Sequence, residues 1–308
     1  MHLRFVSSGS RRFAVSEWTC SPGFSDDKRG GKLIDLHCHL LPGIDDGARD
    51  LETSLAMARM AASDGISTIV CTPHILPGVY NNTGPAIRQA VARLREKVSG
   101  AGIPIRLFSG ADVHIAPDLD VRLGDGRALA LNDSRYLLLE PPHHQLPRRL
   151  EDLIFGLQAA GYAPIVTHPE RLSWIEGHYD LIKRLVNNSV LMQITAGSLM
   201  GRFGRRPRYW AERMLDDGLC HVLATDAHNT EQRAPRMAEA RELVAQRLGE
   251  DEATHLVLTR PRGILNDLSP AELPDPPLAR APRKESRAEA PSGWSNMLKR
   301  VRRVAGAV

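Results

Sequence analysis

Between residues 33 and 267, short apolar runs alternate with longer helix-like stretches, and few folds accept that rhythm. The runs LIDLH (33–37), ISTIVC (66–71), IRLFSG (105–110), YLLLE (136–140), APIVTH (163–168), VLMQIT (190–195) and HVLATD (221–226) have strand length and composition. Helical patterns lie near 51–64, 84–99, 148–160, 178–188, 208–217 and 234–248. Strands separated by helices predict a parallel sheet with helices packed on it. Seven strands in this single domain suit a barrel better than two open sheets. An open doubly wound sheet is the alternative.

The ends read differently from this body. Residues 1–32 lack periodicity and are expected to form a flexible extension with no apolar core of a secretory signal. Residues 268–293 hold six prolines and read as a linker. In residues 294–308, Trp294, Met297, Leu298, Val301 and Val304 fall on one helical stripe beside Lys299, Arg300, Arg302 and Arg303. Such a basic amphipathic segment fits peripheral contact with a membrane surface or docking to a partner. No apolar run is long enough to span a bilayer. The four cysteines are scattered, which fits a reducing, cytoplasmic setting.

The net charge of +4 conceals a division. Residues 1–32 carry six Lys/Arg against three Asp/Glu and residues 280–308 eight against two, leaving 26 against 31 in 33–279. Excess carboxylate suits cation binding better than a nucleic-acid groove.

The polar residues cluster where the apolar runs end. His37 and His39 end the first run, His74 follows the second, and Asp112 and His114 follow the third. Glu140 ends the fourth, His168 the fifth, and Asp226 and His228 the last. In parallel α/β folds the C-terminal strand ends share one face, where sites are assembled. His37 and His39, like Asp226 and His228, are two residues apart, so on a strand each pair faces one way. Cys38 then faces the opposite side, into the core. Imidazoles and carboxylates together suit Mn, Zn or Fe, and two such ions ~3.5–4 Å apart can activate water against a phosphoryl group. His143 and His144, after Pro141-Pro142, lie on a loop near the same mouth. His221 reads as structural, and His178 and His255 as surface residues.

Five segments carry a resemblance: 34–74 (IDLHCHLLPGIDDGARDLETSLAMARMAASDGISTIVCTPH), 135–142 (RYLLLEPP), 161–172 (GYAPIVTHPERL), 192–206 (MQITAGSLMGRFGRR) and 223–233 (LATDAHNTEQR). The body resembles the PHP (polymerase and histidinol phosphatase) superfamily, and within it the bacterial capsular and exopolysaccharide tyrosine phosphatases. The resemblance implies a distorted (β/α)7 barrel holding two or three metal ions, commonly Mn2+. It implies His37, His39 and Asp226 at one ion, His168 at a second, and Asp46, His74 and His228 at a third. Where the family usually has a bridging glutamate, this chain has Asp112, shorter by about one bond, ~1.5 Å. His114 is a candidate compensating ligand, and Glu140 either a ligand or a support behind one. Arg171 and Arg233 match the active-site arginines, whose planar forks suit phosphate oxygens. The implied substrate is a tyrosine-phosphorylated protein, a bacterial tyrosine kinase controlling polysaccharide export. Assembly into a homo-oligomer is compatible with this reading.

Two other mechanisms fail on the residues. Cysteine phosphatases need arginine six positions after the nucleophile, and here Asp26, Ile44, Pro77 and Asp226 occupy those positions. No G-x4-G-K-[ST] loop exists. The alternatives left are a small-molecule phosphatase of the histidinol-phosphate type and a weakly catalytic metal-binding regulatory module.

Overall fold

Two of the seven expected strands resume after a break as short second strands, and the breaks shape the sheet. In the computed structural model, which describes residues 33–116 and 118–277, nine strands form. They are β1 (Leu33–Cys38), β2 (Ile66–Cys71), β3 (His74–Ile75), β4 (Arg106–Ser109), β5 (Asp112–His114), β6 (Tyr136–Glu140), β7 (Ala163–Thr167), β8 (Leu191–Thr195) and β9 (Val222–Ala224). β2 and β3 are halves of one run parted at Thr72-Pro73, where proline has no N–H for the ladder. β4 and β5 part at the same level, at Gly110-Ala111. A Cβ on Gly110 would come within 2.8 Å of Val70 and 2.9 Å of Leu131, so only glycine admits this approach.

All ladder pairs are parallel, in two sheets ordered β1-β2-β4 and β3-β5-β6-β7-β8-β9. A single parallel bridge, Cys38 to Ala227, links the first sheet to the chain just beyond β9. The parallel α/β expectation therefore holds, while the ladders themselves form two bridged sheets rather than one continuous seven-stranded ring.

Ten α-helices lie among the described residues: α1 (Leu51–Ser63), α2 (Gly84–Gly100), α3 (Leu119–Gly124), α4 (Leu150–Ala159), α5 (Tyr179–Asn187), α6 (Ala196–Leu199), α7 (Arg205–Asp216), α8 (Ala238–Leu248), α9 (Glu250–Thr254) and α10 (Arg260–Leu265). α1 shows why such segments form. Asp50 caps it by accepting from the Thr53 N–H at 2.8 Å, and Ser54, Met57, Ala58 and Ala61 bury one face at helical spacing. No helix among the described residues is long and apolar enough to cross a membrane.

One apolar cluster lies beneath the strand ends. β6 gives it Tyr136 and Leu138, β7 gives Ala163 and Ile165, β8 gives Leu191 and β9 gives Val222. Continuing each strand by two-residue steps leads to Glu140, Thr167, Gln193 and Asp226, so an apolar floor passes into a polar roof.

Residues 268–277, at the start of the Pro-rich stretch, pack on this domain. Leu273 is buried in that cluster, and the Tyr136 hydroxyl donates to the Leu268 carbonyl at 2.7 Å. The fully buried Arg260 donates to the Pro274 carbonyl at 2.6 Å and forks onto Glu252 at 2.8 and 2.9 Å. The expected extension 1–32, the rest of the linker and the segment 294–308 lie outside the described residues.

That buried ion pair gives a stability prediction. Glu252→Gln leaves Arg260 charged in the interior and is expected to cost about 3–5 kcal/mol in urea unfolding. The double change Glu252→Leu/Arg260→Met should recover most of this loss. A cost below ~1 kcal/mol for the single variant would show that water reaches Arg260 and shields it.

Candidate metal centre

β1 delivers the first two imidazoles. His37 and His39 point one way, and Cys38 turns into the core as expected. The His37 Nδ1–H donates to Gln193 Oε1 at 2.9 Å, which leaves Nε2 facing Asp112 at 3.5 Å and Asp226 at 3.4 Å. The His39 Nδ1–H donates to Asp45 Oδ2 at 2.7 Å, so its Nε2 likewise faces inward, 3.1 Å from that of His37. Carbonyl and carboxylate oxygens only accept, so these partners settle both tautomers.

The Asp45-Asp46-Gly47 turn lies directly on His39. A Cβ on Gly47 would sit 2.3 Å from the His39 carbonyl, so glycine is required for the approach. Asp45 also accepts from the His74 N–H at 3.0 Å, tying β1 to β3. Asp46 Oδ1 lies 3.4 Å from Nε2 of both His74 and His228. His228 donates from Nδ1 to the Asp226 carbonyl at 3.0 Å, which turns its Nε2 toward Asp46.

Glu140, at the end of β6, gathers more imidazoles than any other carboxylate here. Its Oε2 lies 2.6 Å from His114 Nε2 and 3.2 Å from His74 Nδ1. Its Oε1 lies 3.1 Å from His143 Nε2 and 3.6 Å from His168 Nε2. Asp112 completes this side, 3.4 Å from His74.

Asp226 divides its two oxygens. Oδ1 faces His37 and His39, each at 3.4 Å, while Oδ2 accepts from Arg171 Nη1 and, at 2.6 Å, from Arg233 Nη2. Phe203 lies against Arg171, with its ring centroid 4.6 Å from the guanidinium carbon. Buried Glu170 holds the loop by accepting from the Thr195 N–H at 3.0 Å and the Ser198 hydroxyl at 2.8 Å. His168 and Asp226 both adopt left-handed backbone, with φ of 35° and 50°. That conformation costs on the order of 1–3 kcal/mol at a non-glycine residue, and here it bends the chain sharply as each strand ends.

The electrostatics call for positive charge at the centre. Burial opposes ionisation of Asp226, yet Arg233 and His37 hold its carboxyl well below the usual range. Burial also disfavours protonated His37, but Asp112 and Asp226 outweigh it and raise its pKa to about 9. Burial and neighbouring charge instead depress His168, and lower His228 to about 4, so both offer neutral lone pairs. Both Asp112 oxygens and His228 Nε2 are buried without a hydrogen-bond partner. Buried carboxylates left so are costly unless a cation meets them. The donor set therefore fits a metal, whose charge would take the place of a proton on His37 Nε2. Among the described residues, four groups bring one ligand atom per residue within 4.8 Å of one another: His39/Asp46/His74/His228, His37/His39/Asp112, His74/His114/Glu140 and Glu140/His143/His168.

All ten expected residues thus meet in one cleft: His37, His39, Asp46, His74, Asp112, His168, Asp226, His228, Arg171 and Arg233. Asp45 and Gln193, which fix the two β1 tautomers, were not foreseen. Neither was Asp35, which accepts from the N–H groups of His37 and Thr225 at 3.2 and 3.0 Å. A lone polar residue inside an apolar strand was the available signal for Asp35 and Gln193. His221 accepts the Met192 N–H at 3.2 Å, in keeping with a structural role, and His255 is half-buried rather than at the surface.

Residues 33–266 match the family described as Capsular polysaccharide synthesis, CpsB/CapC. The chain belongs to this family. It is 38% identical over 219 residues to the tyrosine-protein phosphatase YwqE of Bacillus subtilis, covering 71% of this chain and 86% of that one. It is 28% identical to the tyrosine-protein phosphatase CpsB of Streptococcus pneumoniae, covering 76% and 99%. Among solved structures it matches a chain from the YwqE and CpsB crystal structures, described as unique metal-dependent tyrosine phosphatases. That match has a TM-score of 0.74 at 34% identity and covers 81% of this chain and 100% of the other.

The unforeseen residues give the CpsB/CapC member a test of its own. Gln193→Leu removes the acceptor that orients His37 and is expected to weaken metal affinity about 10–100-fold. Isothermal titration with Mn2+ checks this, and unchanged affinity would show that the amide does not hold the ring.

Proposed function

We propose that this chain is a metal-dependent protein-tyrosine phosphatase acting on a bacterial tyrosine kinase that controls capsule or exopolysaccharide production. The carrying observation is Asp226, one oxygen toward the imidazoles of β1 and the other toward Arg171 and Arg233. It joins a cation-binding pocket to a pair of phosphate-binding groups in one residue.

We assign His37, His39 and Asp226 to one cation, Asp112, Glu140 and His168 to a second, and Asp46, His74 and His228 to a third. Mn2+ is the preferred ion, with Fe or Zn as substitutes. Such cations supply charge neutralisation at phosphorus and activation of water for attack. The protein's own groups do the positioning. Arg171 and Arg233 grip the non-bridging oxygens of the phosphoryl group, and Asp226 keeps both guanidinium groups in place. Buried Glu170 anchors the loop that carries Arg171. In this reading the strands form a distorted (β/α)7 barrel, supported by the uniformly parallel ladders and the Cys38–Ala227 bridge. The enzyme works in the cytoplasm, beside a kinase at the inner membrane.

The test is hydrolysis of a tyrosine-phosphorylated kinase tail against histidinol phosphate and nucleotide monophosphates, with Mn2+ or EDTA. Preference for the phosphotyrosyl protein, lost in EDTA and restored by Mn2+, is expected. Faster turnover of a small phosphate would reject the protein substrate, and full activity in EDTA would reject the metal mechanism.

A further inference from the structure

His143 stands on the rim of the cleft, in the loop between β6 and α4. Its placement is nevertheless tightly built. The Ser173 N–H and hydroxyl donate to the His143 carbonyl at 2.9 and 3.0 Å, and Trp174 Nε1–H donates to the Pro142 carbonyl at 3.0 Å. Pro141 and Pro142 restrict the loop further by fixing φ. These contacts fasten the His143 backbone to the segment that follows Arg171, while its side chain remains 30% exposed.

The imidazole is aimed inward. Nε2 lies 3.1 Å from Glu140 Oε1, and His168 Nε2 lies 3.6 Å from the same oxygen. The rings of His143 and His168 have centroids 5.0 Å apart, and one ligand atom from each of the three residues falls within 4.8 Å of the others. Ligand atoms around one divalent cation, each at ~2.0–2.2 Å, stand roughly 3–3.5 Å from one another. Glu140 and His168 are almost fully buried, and Asp112 beside them has both oxygens unpartnered.

We propose that His143 is a metal ligand, binding through Nε2 the cation held by Glu140 and His168. The inference rests on the reading of this cleft as a metal centre. It gives that ion a second imidazole, from a side chain that solvent can reach. An ion with two imidazoles and carboxylates is a borderline divalent metal such as Mn2+, Fe2+ or Zn2+.

The competing role is a hydrogen-bond donor that merely steadies Glu140, and side-chain chemistry separates the two. Aspartate can ligate but would repel Glu140, whereas glutamine can donate to Glu140 but is a poor ligand for such ions. The full chain and its variants are loaded with Mn2+ or Co2+, and retained metal and dissociation constants are measured by mass spectrometry and calorimetry. His143→Ala and His143→Gln are expected to weaken one binding step at least ~10-fold, and His143→Asp to restore most of it. The Co2+ visible spectrum of His143→Ala should also change, while His144→Ala behaves as the wild type. Rescue by glutamine and not aspartate, or unchanged affinity in His143→Ala, overturns the proposal while leaving the metal centre standing. A wild-type chain that retains no metal overturns both. Equal unfolding temperatures of the metal-free proteins exclude misfolding as the cause.

Discussion

Asp226→Asn is expected to lower turnover of a phosphotyrosyl substrate by at least ~10³-fold while the domain stays folded. Removing one preorganised charge-stabilising group costs about 10²–10³-fold, and this residue serves the cations and two arginines together. Asparagine is the better probe than alanine because Asp226 sits at φ 50°. Asparagine tolerates that left-handed backbone, so lost activity then reports charge and not strain. Arg171 and Arg233 lose their shared carboxylate, and His37 and His39 lose the anion 3.4 Å from each. His37→Ala should act similarly from the metal side, and EDTA should reproduce both effects reversibly in the wild type. Metal content, kcat and the thermal midpoint of each variant are the measurements. More than a tenth of wild-type activity in Asp226→Asn would show that neither arginine depends on it.

The part of the fold that carries the site was legible because parallel strands impose a polarity on their sequence. A strand buried on both faces is apolar along its length, so a histidine or carboxylate where it ends stands out, as at His37, His168 and Asp226. What the same residues cannot show is the second partner of each side chain. Asp45 and Asp46 are neighbours of identical chemistry, yet one holds the back of His39 and the other faces His74 and His228. Nothing local distinguishes them, because the difference lies in how the Gly47 turn settles on His39. Gln193 belongs to β8, more than 150 positions from His37, so only the folded sheet makes them partners.

The short strands β3 and β5 beyond the breaks were hidden for a related reason. Pro73 is a local signal, but Gly110 matters through Val70 and Leu131, which approach it from distant segments. Residues 268–277 misled in the opposite direction. Prolines there resemble a linker, yet Leu273 fills a core position and the Pro274 carbonyl satisfies Arg260. The 3-10 turn Pro270–Glu272 uses its proline at the first position, where a missing N–H costs nothing.

Arg171→Lys is expected to reduce kcat/KM by about 10²-fold although the charge is kept, the loss typical of one misplaced transition-state donor. Arg171 is held from two directions. Its Nη1 bonds Asp226, and its planar guanidinium lies on the Phe203 ring at 4.6 Å. The ring is itself fixed close to Gly197, where any Cβ would approach it to 2.8 Å. Sandwiched in this way, the fork presents its remaining N–H groups in one plane, matched to two oxygens of a phosphoryl group. Lysine reaches the same region as a point charge on a flexible stem, makes no flat contact with Phe203, and cannot bond two oxygens in parallel. Because the shape of the transferring group changes on the way to the transition state, the deficit should fall on kcat more than on KM. Phe203→Leu, which removes the ring and leaves the arginine, should show a smaller loss of the same kind. Steady-state kinetics on a phosphotyrosyl peptide decide the matter, and a lysine variant with wild-type kcat/KM would reduce Arg171 to a counter-charge for Asp226.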